Sequence, residues 1–195
     1  MGLRYKIKFV FCGDPGVGKT KLLIRYLEDT YEEEGLSTVG ADFHSKNLEI
    51  GNDTIAIKLY DLPGQQQYGT LTDQFFRNSI AVILVFSLSD EPSFSAIDKW
   101  YRKATNLIPP NSAVFILVGN KDDLKPYTVS EDRAREYAES KGMHYFSASA
   151  KTGNRVNDFF DETIYDVYNK IKNGQIKMND VVLVKKEENG KKSRC

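Results

Sequence analysis

The chain has 195 residues, and its 27 basic and 27 acidic side chains give a formal net charge of zero. This length fits one α/β domain. A neutral chain gives no sign of the basic face typical of general nucleic-acid binding, so we expect no nucleic acid partner. The longest apolar run, 80–86, is far shorter than the roughly 20 residues of a membrane-spanning helix. Two cysteines, Cys12 and Cys195, are too few for a disulfide framework and indicate a cytoplasmic setting.

The first predicted strand, 6–12, leads into the glycine-rich run GDPGVGKT at 13–20. A G-x-x-x-x-G-K-[ST] run between a strand and a helix, here 19–27, is typical of a phosphate-binding loop, because glycine lets backbone N–H groups turn towards phosphate oxygens. We expect Lys19 to reach the β- and γ-phosphates and Thr20 to bind Mg²⁺. The alternative is a purely structural glycine-rich turn. The residues predicted to bind phosphate are Gly13, Gly16, Val17, Gly18, Lys19 and Thr20.

Two alternating runs, 42–50 and 54–60, follow an acidic loop and predict a β-hairpin. The second run leads into Asp61, at the carboxyl end of a strand, where open α/β sheets bind ligands. We therefore expect Asp61 to reach Mg²⁺, and Gly64 to donate its backbone N–H to a γ-phosphate. Gln65 has the length to orient an attacking water. A D-x-x-G pattern occurs often by chance, so this prediction depends on the phosphate loop upstream.

The remaining predicted elements alternate between helix and strand. They are a helix before residue 78, a buried strand 80–86, a helix 93–107 with Trp100 as a packing residue, a strand 113–118, a helix 130–140, a strand 145–148 and an amphipathic helix 156–171. The alternation predicts an α/β fold with about six strands in a mostly parallel sheet and helices on both faces. We assign residues 1–172 to this single domain and 173–195 to a disordered tail.

The sequence NKDD at 120–123 follows a strand and can read a base. The carboxylate of Asp123 can accept hydrogen bonds from the ring N–H and the amino group of guanine, a donor pair that adenine lacks. We expect Asn120 to bind the base or brace the phosphate loop, and the Lys121 stem to cover the ring. The backbone N–H of Ala150 could donate to guanine O6. An N-K-x-D pattern alone is weak evidence, but it follows the other motifs in a consistent order.

These motifs together resemble the small GTPases of the Ras superfamily over residues 5–172. The sequences STVGADF at 37–43, KLYD at 58–61 and FFRN at 75–78 resemble the Rab branch most. The resemblance implies a P-loop GTPase fold, bound GTP or GDP with Mg²⁺, and a switch in vesicle and membrane trafficking.

Roles carried over by position complete the implied site. The resemblance implies that Thr38 binds Mg²⁺ and the γ-phosphate and that Tyr31 flanks the guanine. It also implies that Ser149 and Lys151, on either side of Ala150, contact the nucleotide; residues 149–151 are called the base loop. It also implies an effector surface of Phe43, Tyr60 and Phe76, and regulation by GTPase-activating and nucleotide-exchange proteins. Catalysis falls to Gln65, Lys19 and Gly64, and we expect slow intrinsic hydrolysis by a monomer because no built-in arginine finger is apparent.

Several positions depart from the family pattern. Pro15 and Pro63 stand where the family usually has small residues, which leaves open a GTP-binding scaffold with little or no hydrolysis. Gly35 predicts a more open site. An ATP-using P-loop kinase is a further alternative and would require adenine preference. Five basic residues near Cys195 resemble a prenylated tail that would hold the protein reversibly on the cytosolic face of endomembranes, and a free thiol is the alternative.

Overall fold

The computed structural model describes residues 3–33, 40–64, 69–176 and 184–185. Its helices are α1 Lys19–Glu28, α2 Gly69–Phe76, α3 Glu91–Ser95, α4 Ile97–Leu107, α5 Glu131–Ser140 and α6 Val156–Lys172. Its strands are β1 Leu3–Cys12, β2 Asp42–Ile50, β3 Asp53–Asp61, β4 Ala81–Ser87, β5 Val114–Asn120, β6 His144–Ser147 and β7 Val184–Lys185. The predicted helix 93–107 is in fact two helices that meet at Ala96.

The main strands lie in the order β2-β3-β1-β4-β5-β6. The hairpin pair β2 and β3 is antiparallel, and every other neighbouring pair on this path is parallel. The prediction of a mostly parallel sheet of about six strands is therefore confirmed. Parallel pairing places the carboxyl ends of β1, β3, β4, β5 and β6 at one edge of the sheet, and that edge carries the candidate site.

Two apolar layers cover the sheet, because successive side chains of a strand point to opposite faces. In β1, Phe9 and Phe11 pack with α1 and α6, whereas Val10 and Cys12 pack with α2, α3, α4 and α5. Helices thus lie on both faces, as predicted. The Cys12 thiol is buried, and burial raises its pKa to about 12, which agrees with its predicted role as a core residue.

Two described parts of the chain beyond residue 172 contact the domain. Ile176 lies beyond the predicted domain end, but it is apolar and only 3% exposed in the layer formed by α1 and α6. Farther along, β7 pairs antiparallel with Leu3 and Arg4. This pairing is possible because β4 joins β1 only from Phe9 onward, which leaves the first residues of that edge of β1 free to bond. Among the described residues, no helix is long and apolar enough to span a bilayer.

Candidate functional site

Four segments that follow parallel strands meet at the carboxyl edge of the sheet. Gly13 follows β1, Asp61 ends β3, Asn120 ends β5, and Ser149 lies two residues beyond β6. These strands are neighbours or near neighbours in the sheet order, so segments far apart in the sequence become adjacent in space. The edge therefore gathers the predicted phosphate, Mg²⁺ and base contacts.

The loop at 13–18 depends on glycine for its path. Gly13 has a φ of 144° and lies directly against the Val85 carbonyl, so that a Cβ there would overlap the oxygen. Gly18 has a φ of 93° and packs against the Asn120 amide. Gly18 is also the N-cap of α1, and among the described residues no side chain caps this helix start. The uncapped helix N-terminus and its dipole therefore favour an anion at the loop.

Lys19 lies over the same loop. Its Nζ donates to the carbonyl oxygens of Gly13 and Asp14 at 2.9 and 3.1 Å, and the residue is only 6% exposed. Burial lowers the pKa of Lys19, while the nearby Asp61 carboxylate acts in the opposite direction. The ammonium group is thus held at the loop by neutral carbonyls, where an anionic ligand would be a stronger partner.

Thr20 and Asp61 form a pair of hard oxygen donors beside the loop. The Thr20 hydroxyl donates to Asp61 Oδ2, and Asp61 Oδ1 is buried without a hydrogen-bond partner among the described residues. Burial raises the pKa of Asp61, whereas the Thr20 hydrogen bond and the Lys19 charge lower it. A buried carboxylate oxygen without a partner, next to a hydroxyl, fits a Mg²⁺ ion, which prefers oxygen ligands.

Asn120 connects the phosphate loop to the base loop. Its Nδ2 donates to the Val17 carbonyl at 2.8 Å, and its Oδ1 accepts from the Ala150 N–H at 3.1 Å. The residue is only 1% exposed. Of the two roles considered for Asn120, the side chain therefore makes the bracing contact. The Ala150 N–H that was predicted to donate to a base donates here to Asn120.

Asp123 is exposed at the carboxyl edge of the sheet, and a hydrogen bond from Ser149 orients its carboxylate. Ser149 Oγ donates to Asp123 Oδ1 at 2.5 Å and accepts from the Thr152 N–H at 3.0 Å. Lys121, two residues earlier, has a φ of 64° in the left-handed region. Lys151 Nζ donates to Glu33 Oε1 at 2.9 Å, which joins the base loop to the segment that follows α1. The base loop is thus held by polar contacts on several sides.

Gly64 lies against the phosphate loop. A Cβ at this position would come within 2.5 Å of the Asp14 carbonyl carbon and 2.8 Å of Pro15 Cα. These are backbone atoms, so a side chain would require the two segments to separate. The contact brings the segment after β3 directly onto the loop that contains Pro15.

Two contacts at the site involve residues that were not predicted to belong to it. The indole Nε1 of Trp100, predicted only to pack, donates to Asp14 Oδ1 at 3.0 Å. Arg25 of α1 donates to backbone carbonyls of the base loop. No motif links either pair, and the only local signal is an Asp four residues after Arg25.

Some predicted site residues are not at the centre of the described geometry. Thr38, Gln65, Gly35 and Cys195 lie outside the described residues. Tyr31 is described, and it is partly buried against the layer formed by α1 and α6. Its predicted place beside the base stays a prediction.

The predicted aromatic effector surface is wrong in one of its three members. Phe76 is fully buried against the layer formed by α2 to α5, because its side of α2 faces the sheet. Phe43 is 50% exposed, and its ring lies 5.5 Å from that of Tyr60. The Tyr60 ring in turn lies 5.7 Å from Phe75, which is only partly buried. The accessible aromatic row is Phe43, Tyr60 and Phe75.

Comparison with known proteins agrees with this geometry. The model of the Ras family matches residues 8–169. Ras-related protein SEC4 of Saccharomyces cerevisiae is 30% identical over 195 residues, covering 97% of this chain and 90% of the relative. Ras-related protein Rab-18 of Lymnaea stagnalis is 34% identical, covering 81% and 78%. GTP-binding protein YPT1 of Saccharomyces cerevisiae is 34% identical, covering 80% and 76%.

Nothing in these matches supports the alternative of a nucleotide-binding scaffold without hydrolysis. The family match and the Rab-type relatives agree with the motif order along the chain and with the fold. The chain therefore belongs to the Ras family, as a small GTPase of its Rab branch.

Proposed function

We propose that this GTPase acts as a trafficking switch whose nucleotide lies along the carboxyl edge of the sheet, with phosphates on the loop 13–20 and guanine on the loops 120–123 and 149–151. The observation that carries this proposal is the Asn120 bridge. One buried side chain bonds to Val17 in the first loop and to Ala150 in the last. A ligand that spans both loops, as a nucleotide does, would use a site whose two ends are already fixed relative to each other.

The phosphate end depends on backbone donors and one ammonium group. Gly13, Gly16, Val17 and Gly18 would supply backbone contacts, and Lys19 would exchange its carbonyl partners for phosphate oxygens. Charge-assisted hydrogen bonds to an anion are roughly twice as strong as those between neutral groups, which favours this exchange. The dipole of α1 adds to the attraction.

The metal would be held by few protein atoms. Thr20 and Asp61 supply two oxygen positions, and Thr38 is proposed as a third, in the GTP-bound form. When bound, Mg²⁺ neutralises charge on the β- and γ-phosphates. The Oδ1 of buried Asp61, which has no hydrogen-bond partner in the part of the chain that the structure describes, supports this assignment.

The base end would read guanine through Asp123. Ser149 Oγ donates one hydrogen bond to Asp123 Oδ1. The carboxylate is exposed and therefore remains accessible to the paired N–H donors of guanine. Lys121 would lie along the ring, and Tyr31 would flank it. Ala150 and Lys151 complete the base loop.

Hydrolysis would need little covalent work from the protein, since phosphoryl transfer is catalysed mainly by positioning and charge stabilisation. Lys19 would stabilise charge, the Gly64 N–H would bind the γ-phosphate, and Gln65 would orient the water. We expect slow intrinsic turnover, because the sequence pattern predicts no built-in arginine finger and a partner-supplied arginine is worth ~10³–10⁵ in rate.

The change of state would follow from loss of the γ-phosphate. Thr38 and Gly64 would hold their loops to it, and hydrolysis would release both. Effectors would read the change on the surface of Phe43, Tyr60 and Phe75. Activating and exchange proteins would set the rates of the cycle, and Cys195 lipidation would hold a monomeric protein reversibly on endomembranes.

Competition binding tests the base assignment. Purified protein loaded with a fluorescent GDP should release it to excess GTP but not to equal concentrations of ATP. Asp123→Ala should weaken GDP binding at least tenfold, and the neighbouring Asp122→Ala should weaken it much less. Equal competition by ATP, or an Asp123→Ala protein that binds GDP like the wild type, would contradict the proposed base site.

A further inference from the structure

Arg25 holds the base loop from the side opposite Asn120. Its Nε donates to the Ala150 carbonyl and one terminal nitrogen donates to the Lys151 carbonyl, both at 2.9 Å. The other terminal nitrogen donates to the Asp29 carbonyl at 2.9 Å and to the Asp29 carboxylate at 3.2 Å. All three guanidinium nitrogens are thus used, and the side chain is only 16% exposed.

The Ala150 peptide is consequently fixed at both of its polar backbone atoms. Its N–H donates to Asn120 and its carbonyl accepts from Arg25. The stem of Arg25 also packs beneath the loop, because a Cβ on Gly153 would lie 3.7 Å from Arg25 Cδ. The two hydrogen bonds from Arg25 therefore set the position of this loop relative to α1.

The helix that carries Arg25 also begins at the phosphate loop. Lys19 and Thr20 lie in its first turn and Arg25 in its last. An α-helix of ten residues is a stiff spacer of about 15 Å, so Arg25 fixes the base loop relative to the helix start. A planar guanidinium with donors in a fixed fork can bridge two carbonyls, which a lysine ammonium on a flexible stem does not reproduce.

We propose that Arg25 is a positioning residue for guanine recognition, which holds the Ala150 peptide where its N–H, bonded to Asn120 Oδ1 in this structure, can also donate to guanine O6. This inference rests on the proposed base site. Arg25 itself touches neither base nor phosphate in this account. Its loss should therefore increase the rate of nucleotide release and reduce the preference for guanine. The rate of GTP hydrolysis at the phosphate end should stay unchanged.

The chain offers matched controls for Arg25→Lys. Arg102 on α4 makes an ion pair with Asp98 at 2.6 Å, also four residues apart, and α4 packs on the opposite face of the sheet from α1. Arg102→Lys is thus the same chemical change in a similar pair. The Asp29 side chain, the carboxylate partner of Arg25, is 90% exposed. Asp29→Ala removes this carboxylate and leaves both loop carbonyls in place.

The first measurement is the release rate of fluorescent GDP from full-length protein. We expect Arg25→Lys to release GDP about tenfold faster, equivalent to about 1.4 kcal/mol, and Arg102→Lys and Asp29→Ala to stay within about twofold of the wild type. Single-turnover hydrolysis at saturating GTP should be unchanged in all three variants. Thermal unfolding with GDP bound monitors folding of each protein.

The second measurement uses a base that lacks O6. The diphosphate of 2-aminopurine riboside cannot use the Ala150 donor, so the ratio of its Kd to that of GDP should fall several-fold in Arg25→Lys. This base also lacks the N1–H of guanine. That loss affects the wild type and every variant equally, so it cancels when the Kd ratios are compared. A general loss of stability would weaken both ligands alike and leave the ratio unchanged.

Three outcomes are distinct. Faster release with a reduced ratio and normal hydrolysis supports the positioning role. Release like that of Arg102→Lys, or faster release with an unchanged ratio, overturns it. If the wild-type protein binds ADP as tightly as GDP, the proposed base site itself is wrong. The assignment of Arg25 to guanine recognition then fails with it.

Discussion

The indole N–H of Trp100 donates to Asp14 Oδ1 at 3.0 Å, which ties helix α4 to the phosphate loop. Trp100 is the single tryptophan of the chain, and its ring is buried between α4 and the sheet. Gly64 packs on the peptide that follows Asp14. Asp14 therefore lies between α4 and the segment after β3. The bond therefore orients the loop that is proposed to bind phosphate.

Removal of this bond should loosen the loop. Trp100→Phe keeps an aromatic ring in the core and leaves the Asp14 carboxylate without its indole donor, a loss of about 1–3 kcal/mol. We expect several-fold faster release of fluorescent GDP and a lower free energy of unfolding in urea. Asp14→Asn, which keeps an acceptor oxygen, should behave more like the wild type. Identical release from all three proteins would show that the bond does not order the loop.

Asn120 should contribute to stability without any ligand. Asn120→Ala leaves the Val17 carbonyl and the Ala150 N–H without this partner, at about 1–3 kcal/mol for each buried polar group. Urea unfolding of nucleotide-free protein should detect this cost, and GDP affinity should fall as well. The exposed Asn47 on β2 supplies the control, since Asn47→Ala should change the free energy of unfolding by less than ~0.5 kcal/mol. A loss confined to the GDP-bound protein would contradict the bridge.

Gly64 should be intolerant of any side chain. In Gly64→Ala the new methyl group would overlap the Asp14–Pro15 backbone, so the two segments must move apart. The Gly64 N–H is proposed to bind only the γ-phosphate, and we therefore expect at least tenfold slower single-turnover GTP hydrolysis with GDP affinity changed much less. Equal losses for GTP hydrolysis and GDP binding would mean that the contact serves the whole loop rather than the γ-phosphate.

Phe75 and Phe76 should contribute very different amounts to the free energy of unfolding. Phe76→Ala empties a fully buried position and should cost about 3–5 kcal/mol of unfolding free energy. Phe75→Ala removes a partly exposed ring in contact with Tyr60 and should cost much less. Urea unfolding of the two variants measures the difference. Comparable destabilisation by both would place the two rings equally in the core, contrary to the structure.

The Cys12 thiol should be unreactive in the native protein, since burial raises its pKa to about 12. In a Cys195→Ser background, a thiol reagent at pH 8.5 should modify Cys12 only after unfolding. Native protein keeps this proton while the unfolded chain loses it above the ordinary pKa of 9.0, so the thiol makes stability fall as pH rises from 9 towards 12. The slope is up to about 1.4 kcal/mol per pH unit, and Cys12→Ala should remove it. Rapid native labelling would contradict the burial.

Local pattern was enough to predict most of the fold. Alternation marked β2 and β3, apolar runs marked β4 and β5, and the amphipathic face of α6 was plain in the sequence. Because parallel strands carry their loops at one edge, the motif order also predicted which loops would meet. The short strand β7 was not predictable, since its pairing depends on a free stretch of the β1 edge rather than on its own composition.

Tertiary contacts account for what the sequence left open. Phe75 and Phe76 are equally apolar neighbours, and only the docking of α2 on the sheet decides which ring is buried. Trp100 and Asp14 lie 86 residues apart, and no spacing rule joins them. Arg25 has an acidic residue four positions later, which is a common surface pair. Its contacts with Ala150 and Lys151 arise only because α1 passes beneath the base loop.

The most direct test is single-turnover phosphate release from purified full-length protein loaded separately with GTP and with ATP, in the presence of Mg²⁺. A guanine-nucleotide switch with Lys19, Gly64 and Asp123 in their proposed roles should release phosphate slowly from GTP, up to one equivalent of the nucleotide bound. ATP should neither load nor turn over. Absence of release above the buffer blank with GTP, or equal loading and release with ATP, would contradict the account.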